Sequence, residues 1–193
     1  MSALSERRER ERADRRQLII NAARELAETE GWEAVTTRRL AERVEYSQPV
    51  LYSHFNGKDA IVSAVALDSF VELADHLRTA RETARKRGQA LRAVCRAYLK
   101  FAAERPAQYQ AMFILPTDLK FASAETPAPL RACFDEFVNC FPPENDRREL
   151  FAEVTWSTLH GMAVLADSGR IPATHQEERL DFLVTQIAAS PTP

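Results

Sequence analysis

The chain has 193 residues, 45% hydrophobic and 28% charged, an ordinary soluble balance that suits one compact unit or a small domain plus a larger one. Its net charge of −2 and pI of about 6.1 lack the overall basic balance usual in nucleic-acid binders, so such a role must rest on where charge sits. No apolar run exceeds five residues, whereas a membrane-spanning helix needs about 20; with a polar N-terminus unlike a signal peptide, the expected location is cytoplasmic.

Only five Gly are present, no stretch alternates at strand length, and apolar residues recur every three or four positions, which predicts an all-α chain. The first sixteen residues carry six Arg against four acids. Glu6–Arg10 and Glu11–Arg15 are i,i+4 pairs in the favourable order, so this run is expected to extend the first helix in solvent. A basic arm in a DNA minor groove is the alternative. Ile19, Ala22, Ala23 and Leu26 form the helix's apolar stripe, it ends near Gly31, and Trp32 and Val35 complete the core of a small domain.

Thr36 to Asp59 reads TTRRLAERVEYSQPVLYSHFNGKD, two short helices joined by a tight turn. Thr36 or Thr37 caps the first, whose apolar face is Leu40, Ala41 and Val44; Ser47 caps the second, with Pro49 in its first turn. Leu51 and Phe55, four apart, anchor that second helix. Arg38, Arg39, Gln48, Tyr52, Ser53, His54 and Lys58 remain for solvent, side chains suited to phosphates and base edges. Gln48 can pair bidentately with adenine and Arg38 with guanine, while Tyr52, His54 and Lys58 are spaced for flanking phosphates. From Thr36 to Lys58 there are four Arg or Lys against two Glu. A hairpin with a merely solvated polar face is the competing account.

Lys58 to roughly Arg85 is predicted as one long helix carrying Val62, Val65, Ala66, Phe70, Leu73 and Leu77, a lever between a domain at 1–60 and a larger one at 61–193. After Gly88, a helix at about Gln89–Glu104 presents Leu91, Val94, Cys95, Tyr98, Leu99 and Phe101. Pro106 starts a short helix with Tyr109, Met112 and Phe113. Pro116, Pro127 and Pro129 bracket a loop, Leu130–Phe141 is helical, and helices at about Asn145–Asp167 and His175–Ala189 close the chain. Phe70, Tyr98, Phe101, Tyr109, Met112, Phe113, Phe134, Phe137, Trp156 and His160 are the candidate lining of an apolar effector pocket, with ordinary core packing as the plainer account. Cys95, Cys133 and Cys140 are expected as buried free thiols; Cys133 and Cys140 share one helix about 10 Å apart along its axis, too far for a disulfide.

The stretch with Thr36-Thr37, Leu40-Ala41, Ser47-Gln48-Pro49, Leu51-Tyr52, His54-Phe55 and Lys58 resembles the helix-turn-helix signature of the tetracycline-repressor (TetR) family of bacterial transcriptional regulators. The resemblance implies that Thr37, Tyr52, His54 and Lys58 meet the DNA backbone, that Arg38, Gln48 and Pro49 approach bases, and that Val50 meets a thymine methyl. Ser53 joins them as a candidate. One departure is Glu45, which stands where the turn usually has Gly and where positive φ is expected. The run from Trp156 through His160 to Gly161 resembles a C-terminal domain type of that family named for Trp, His and Gly, and FAAERPAQYQAMF is similar to its middle helices.

What the resemblance implies is an N-terminal three-helix helix-turn-helix domain followed by a larger helical effector-binding and dimerisation domain. The implied partners are double-stranded operator DNA, a small-molecule effector and a second copy of the chain. The homodimer would form through the last two helices, using Leu159, Met162, Ala163, Ala166, Leu180, Leu183, Val184 and Ile187. A repressor function is expected. No Gly-rich phosphate loop, His-x-x-x-His pair or Cys-x-x-Cys is present, so an enzyme, a cofactor and a metal are not expected. A DNA-free carrier or scaffold is the third possibility.

Overall fold

Between Ala3 and Gly31 the sequence holds neither Gly nor Pro, and in the computed structural model this stretch is one helix, α1 (Ala3–Glu30). The structure describes residues 3–84 and 87–189. A 3₁₀ turn (Trp32–Ala34) leads to α2 (Thr37–Arg43), α3 (Gln48–Tyr52) and α4 (Lys58–Thr83). Then come α5 (Arg87–Glu104), α6 (Pro106–Phe113), α7 (Ala128–Val138) and α8 (Arg148–Asp167). A second 3₁₀ turn (Ala173–His175) precedes α9 (Gln176–Ala189). Among the described residues there is no strand, and no helix is long and apolar enough to cross a membrane.

Most boundaries fall where the spacing predicts, and the exceptions have local causes. The expected end of α4 at Arg85 lies outside the described residues. The α7 helix starts ahead of Leu130 because Pro127 occupies its N-cap and Pro129 its first turn, where no N–H is needed. The α8 helix starts at Arg148 rather than Asn145, since the Asn145 side chain accepts from Arg147 N at 2.9 Å and holds a turn there. His175 belongs to the 3₁₀ turn rather than to α9.

The contacts divide the chain into two units. The first comprises 1–69 and 107–119, the second 70–106 and 120–193. In the first, Ile19, Ala23 and Leu26 of α1 are buried with Trp32, Val35, Leu40, Leu51, Phe55, Ile61 and Val65. Burial of Leu51 and Phe55 is worth about 1.5–3 kcal/mol each and fixes α3 on this core. The α6 helix belongs to the same unit despite its place far along the chain. The Glu28 carboxylate accepts from Ala107 N (3.2 Å) and Gln108 N (3.0 Å), capping α6, and Trp32 Nε1 donates to Ala107 O at 2.8 Å. Gln108 Oε1 also accepts from Ser69 Oγ at 3.1 Å.

In the second unit, Leu73, Leu77, Val94, Tyr98, Phe101, Phe137, Ala152 and Leu159 are almost wholly buried. Glu136 is buried on α7 and takes both Arg78 Nε (3.3 Å) and Arg81 Nε (2.7 Å) of α4. A buried carboxylate requires such partners. Arg96 pairs with Glu177 (2.5 Å) and Arg92 with Asp181, joining α5 to α9.

Candidate nucleic-acid interface

The two short helices of the first unit are closed by backbone chemistry that the sequence specifies. Thr36, in extended conformation, accepts from Arg39 N at 3.2 Å and so caps α2. At the other end Tyr46 N donates to Ala41 O (2.9 Å) and Glu45 N to Glu42 O (3.3 Å), the paired bonds of a Schellman stop. The residue between must turn left-handed, and Glu45 does so at φ 57. Ser47 has the extended backbone of an N-cap, but its side chain makes no capping bond; Ser47 O accepts from Val50 N and Leu51 N instead. Gly57, φ 89, turns the chain into α4.

With Leu51 and Phe55 facing inward, α3 exposes Gln48, Pro49, Val50 and Tyr52, followed by Ser53. These polar and apolar groups form one short surface suited to base edges and thymine methyls. The hydroxyls of Tyr52 and half-buried Thr37 approach to 3.4 Å, tying α3 to α2. Arg38 is exposed and lies against Glu42 at 3.0 Å, an exposed i,i+4 pair worth only about 0.3–0.5 kcal/mol and therefore easily exchanged.

Several expected cations are committed elsewhere. Arg39 makes a two-pronged pair with Glu30 (2.8 and 2.9 Å) and Arg43 pairs with Glu25 (3.0 Å), both fastening α2 to α1. Arg39 thus holds the Glu30 carboxyl below its ordinary range. Lys58 is half-buried and donates to Trp32 O at 2.6 Å, so its ammonium braces the core at the start of α4. His54 is half-buried, and its Nδ1 has no hydrogen-bond partner. Burial first, then the charges of Arg12, Arg15 and Arg16, hold the His54 pKa below its usual value, leaving the ring neutral at pH 7. Those arginines come from the charge run of α1. Arg12 Nη2 donates to Ser53 O (3.4 Å) and the Arg16 guanidinium sits 4.7 Å from the Phe55 ring centre. The signal for this docking was the helical spacing of Arg8, Arg12, Arg15 and Arg16, which solvation alone does not require.

The candidate effector residues fall into two groups. Tyr98, Phe137, Trp156 and His160 come together in the second unit: Tyr98 and Phe137 meet edge-on at 5.7 Å, Trp156 Nε1 donates to Tyr98 Oη at 3.2 Å, and the Trp156 and His160 rings lie 6.4 Å apart. Half-burial lowers the His160 pKa. In the same unit, Phe70 meets Phe121, Phe101 meets His76, and Phe134 is half-buried on α7. Tyr109, Met112 and Phe113 belong instead to the first unit, with Tyr109 and Phe113 rings 4.9 Å apart.

Among the residues expected at a dimer contact, Leu159, Leu180 and Leu183 are buried in the protomer's own core and cannot also face a partner. Met162, Ala163, Ala166, Val184 and Ile187 are half-buried, while the exposed apolar side chains of α8 and α9 are Leu150, Val154, Leu165 and Phe182. Cys95, Cys133 and Cys140 are buried free thiols; burial raises all three, Cys133 and Cys140 to about 12, which suppresses thiolate chemistry.

Comparison with known proteins bears on both units. The family model for bacterial regulatory proteins of the tetR family matches residues 19–65, and that for the tetracyclin repressor-like C-terminal domain matches residues 91–187. The chain is 33% identical over 97 residues to YobS, an uncharacterized HTH-type transcriptional regulator of Bacillus subtilis, covering 50% of each chain. It is 49% identical over 51 residues to the class C tetracycline repressor protein of Escherichia coli, covering 26% of this chain and 23% of that one. The chain therefore spans half or less of the length of these curated relatives. A crystal structure of BioQ with its double-stranded DNA operator shares the fold at TM-score 0.66 and 20% identity, over 91% of this chain and 98% of that one.

Proposed function

Because the chain belongs to the tetR family of bacterial regulatory proteins, we propose that it is a DNA-binding transcription regulator, a homodimeric repressor released from its operator by a small apolar or aromatic effector. One observation carries the DNA-binding reading: α3 is anchored by Leu51 and Phe55 and presents Gln48, Pro49, Val50, Tyr52 and Ser53 to solvent, with Arg38 beside them. A helix so mounted fits the major groove with its N-terminal residues at the bases. Gln48 and Arg38 read base edges, Val50 a thymine methyl, and Thr37, Tyr52 and His54 meet phosphates. Lys58, half-buried and bonded to Trp32 O, keeps two N–H donors for a phosphate.

Two such heads about 34 Å apart would engage successive turns of one operator. The pairing of copies would use α8 and α9, through Val154, Leu165 and Phe182 with the half-buried Met162, Ala163, Ala166, Val184 and Ile187. The effector would bind among Tyr98, Phe137, Trp156 and His160, with Phe70, Phe101 and Phe134 as further lining. Release follows if the effector prefers the arrangement in which α4 holds the heads out of register, since only such a difference in affinity shifts the equilibrium. The class C tetracycline repressor and the operator-bound BioQ support this reading by name.

The test is selection of bound duplexes from random-sequence DNA by the full chain, followed by gel shifts of the selected duplex. Arg38→Ala should lose about 1–3 kcal/mol and relax specificity at one base pair. Equal losses on every operator variant would remove Arg38 from base readout. Failure to select any sequence would overturn the regulator reading.

A further inference from the structure

Three guanidinium groups converge beyond the C-terminal end of α3. Arg8, Arg12 and Arg15 stand at i, i+4 and i+7 on α1, and with Glu11, Ser53 and His54 they line a cleft of about 400 Å³. The α1 wall of the cleft is joined to the Ser53–His54 wall by the bond from Arg12 to Ser53 O and by the seat of Arg16 on Phe55. Its lone carboxylate, Glu11, is engaged by Arg7 at 2.8 Å, and Arg7 does not line the cleft. Among the described residues, neither Arg8 nor Arg15 has a carboxylate at ion-pair distance. Arg8, Arg12 and Arg15 are exposed on one helix face, where like charges repel, so a bound anion would relieve their repulsion.

We infer that this cleft binds a backbone phosphate of duplex DNA, held by Arg8, Arg12 and Arg15 with His54 as a further donor. The inference rests on the reading of the chain as a DNA-binding protein and adds a contact from α1 to it. Ser53 follows directly on α3, so a helix lodged in the major groove brings the cleft to the flanking backbone rather than to bases. The Arg run acts here as a rigid helix, continuous from Ala3, and not as an arm threaded into the minor groove. His54 suits the role: its orphan Nδ1 faces the cleft's arginines, and although burial is the larger cause of its lowered pKa, an arriving phosphate would offset the arginine field that adds to it.

The experiment measures fluorescence anisotropy of the selected duplex and a scrambled one with the full chain over a salt series. The triple variant Arg8→Gln, Arg12→Gln, Arg15→Gln should bind both duplexes about five- to twentyfold more weakly and lower the log K against log salt slope by about 0.9, the loss of one phosphate contact. Glu11→Gln should tighten both by about two- to fivefold, since a phosphate then meets less opposing charge. Wild-type affinity and slope in the triple variant overturn the cleft and leave the regulator reading standing. A loss confined to the selected duplex also overturns it, because phosphates carry no sequence. No duplex binding by the wild-type chain overturns both readings. If circular dichroism shows the triple variant unfolded, Glu11→Gln decides: tighter binding supports the cleft and unchanged binding overturns it.

Discussion

Glu45→Gly is the sharpest test of how the turn between α2 and α3 is built. Glu45 occupies the left-handed position of the Schellman stop at φ 57, with its N–H on Glu42 O and the next N–H on Ala41 O. A side chain there costs about 1–2 kcal/mol against the right-handed region. Glycine removes that strain but loses more backbone freedom on folding, about 0.5–1 kcal/mol. The difference leaves a net gain of roughly 0.5–1 kcal/mol, an increase in Tm of about 1–4 °C for a chain of this length. Glu45→Ala separates strain from charge: it deletes the carboxylate yet keeps a Cβ in the left-handed region, so it should gain no stability. Both variants should bind duplex DNA slightly more tightly at low salt, because each removes an exposed negative charge beside the proposed interface. Thermal melts of the three proteins side by side provide the measurement. If Glu45→Gly melts no higher than Glu45→Ala, the strain assigned to this turn is absent.

Lys58→Ala should destabilise the first unit by about 1.5–3 kcal/mol in urea unfolding, the worth of a hydrogen bond from a charged donor, because it removes the bond to Trp32 O and leaves that carbonyl only the one from Val35 N. Tyr52→Phe gives up only the exposed 3.4 Å contact with Thr37, so it should cost at most about 0.5–1 kcal/mol of stability while weakening binding to all duplexes alike, since the hydroxyl is expected at a phosphate. Glu28→Ala removes the acceptor for two N–H groups of α6; a loss of about 1–2 kcal/mol and faster hydrogen exchange at Ala107 and Gln108 are expected. Acidification should also destabilise the fold. The folded pKa values of His54 and His160 are both lowered, chiefly by burial, so the unfolded chain takes up their protons first. Stability is therefore full above the ordinary His pKa of about 6.5 and falls as pH drops through the lowered values. A melting temperature unchanged between neutral and mildly acid pH, or the same decline in a His54→Gln, His160→Gln double variant, would contradict this.

The helix-turn-helix was legible in the sequence because its determinants are local. Thr36 caps three residues ahead, Leu40, Ala41 and Val44 repeat at helical spacing, Pro49 marks a first turn, and Glu45 declares its turn by standing in it. The all-α class followed from the same periodicities. What escaped was set by partners distant in sequence. Nothing in the sequence showed that the Lys58 ammonium also meets the Trp32 carbonyl, or that Arg39, read as left for solvent, pairs with Glu30. Glu136 gave no sign of being buried; only the approach of Arg78 and Arg81 makes that position tolerable for a carboxylate. On α8 and α9 the apolar stripe was visible, but periodicity does not say which of two apolar edges faces inward. Leu159, Leu180 and Leu183 went to the core and left Val154, Leu165 and Phe182 outside.

The clasp of Glu28 and Trp32 on α6 has a consequence for biosynthesis. A ribosome delivers the α2–α3 pair early, yet the acceptor for the Trp32 indole is Ala107 O, and the amides that quench Glu28 are those of Ala107 and Gln108. Until that segment emerges, only water can serve the Trp32 indole N–H and the Glu28 carboxylate of a nascent head. A polypeptide cut after residue 60 would stay permanently in that condition. The portion expected to touch DNA is thus completed by residues made long after it, and its final closure waits on synthesis of the segment that follows α5.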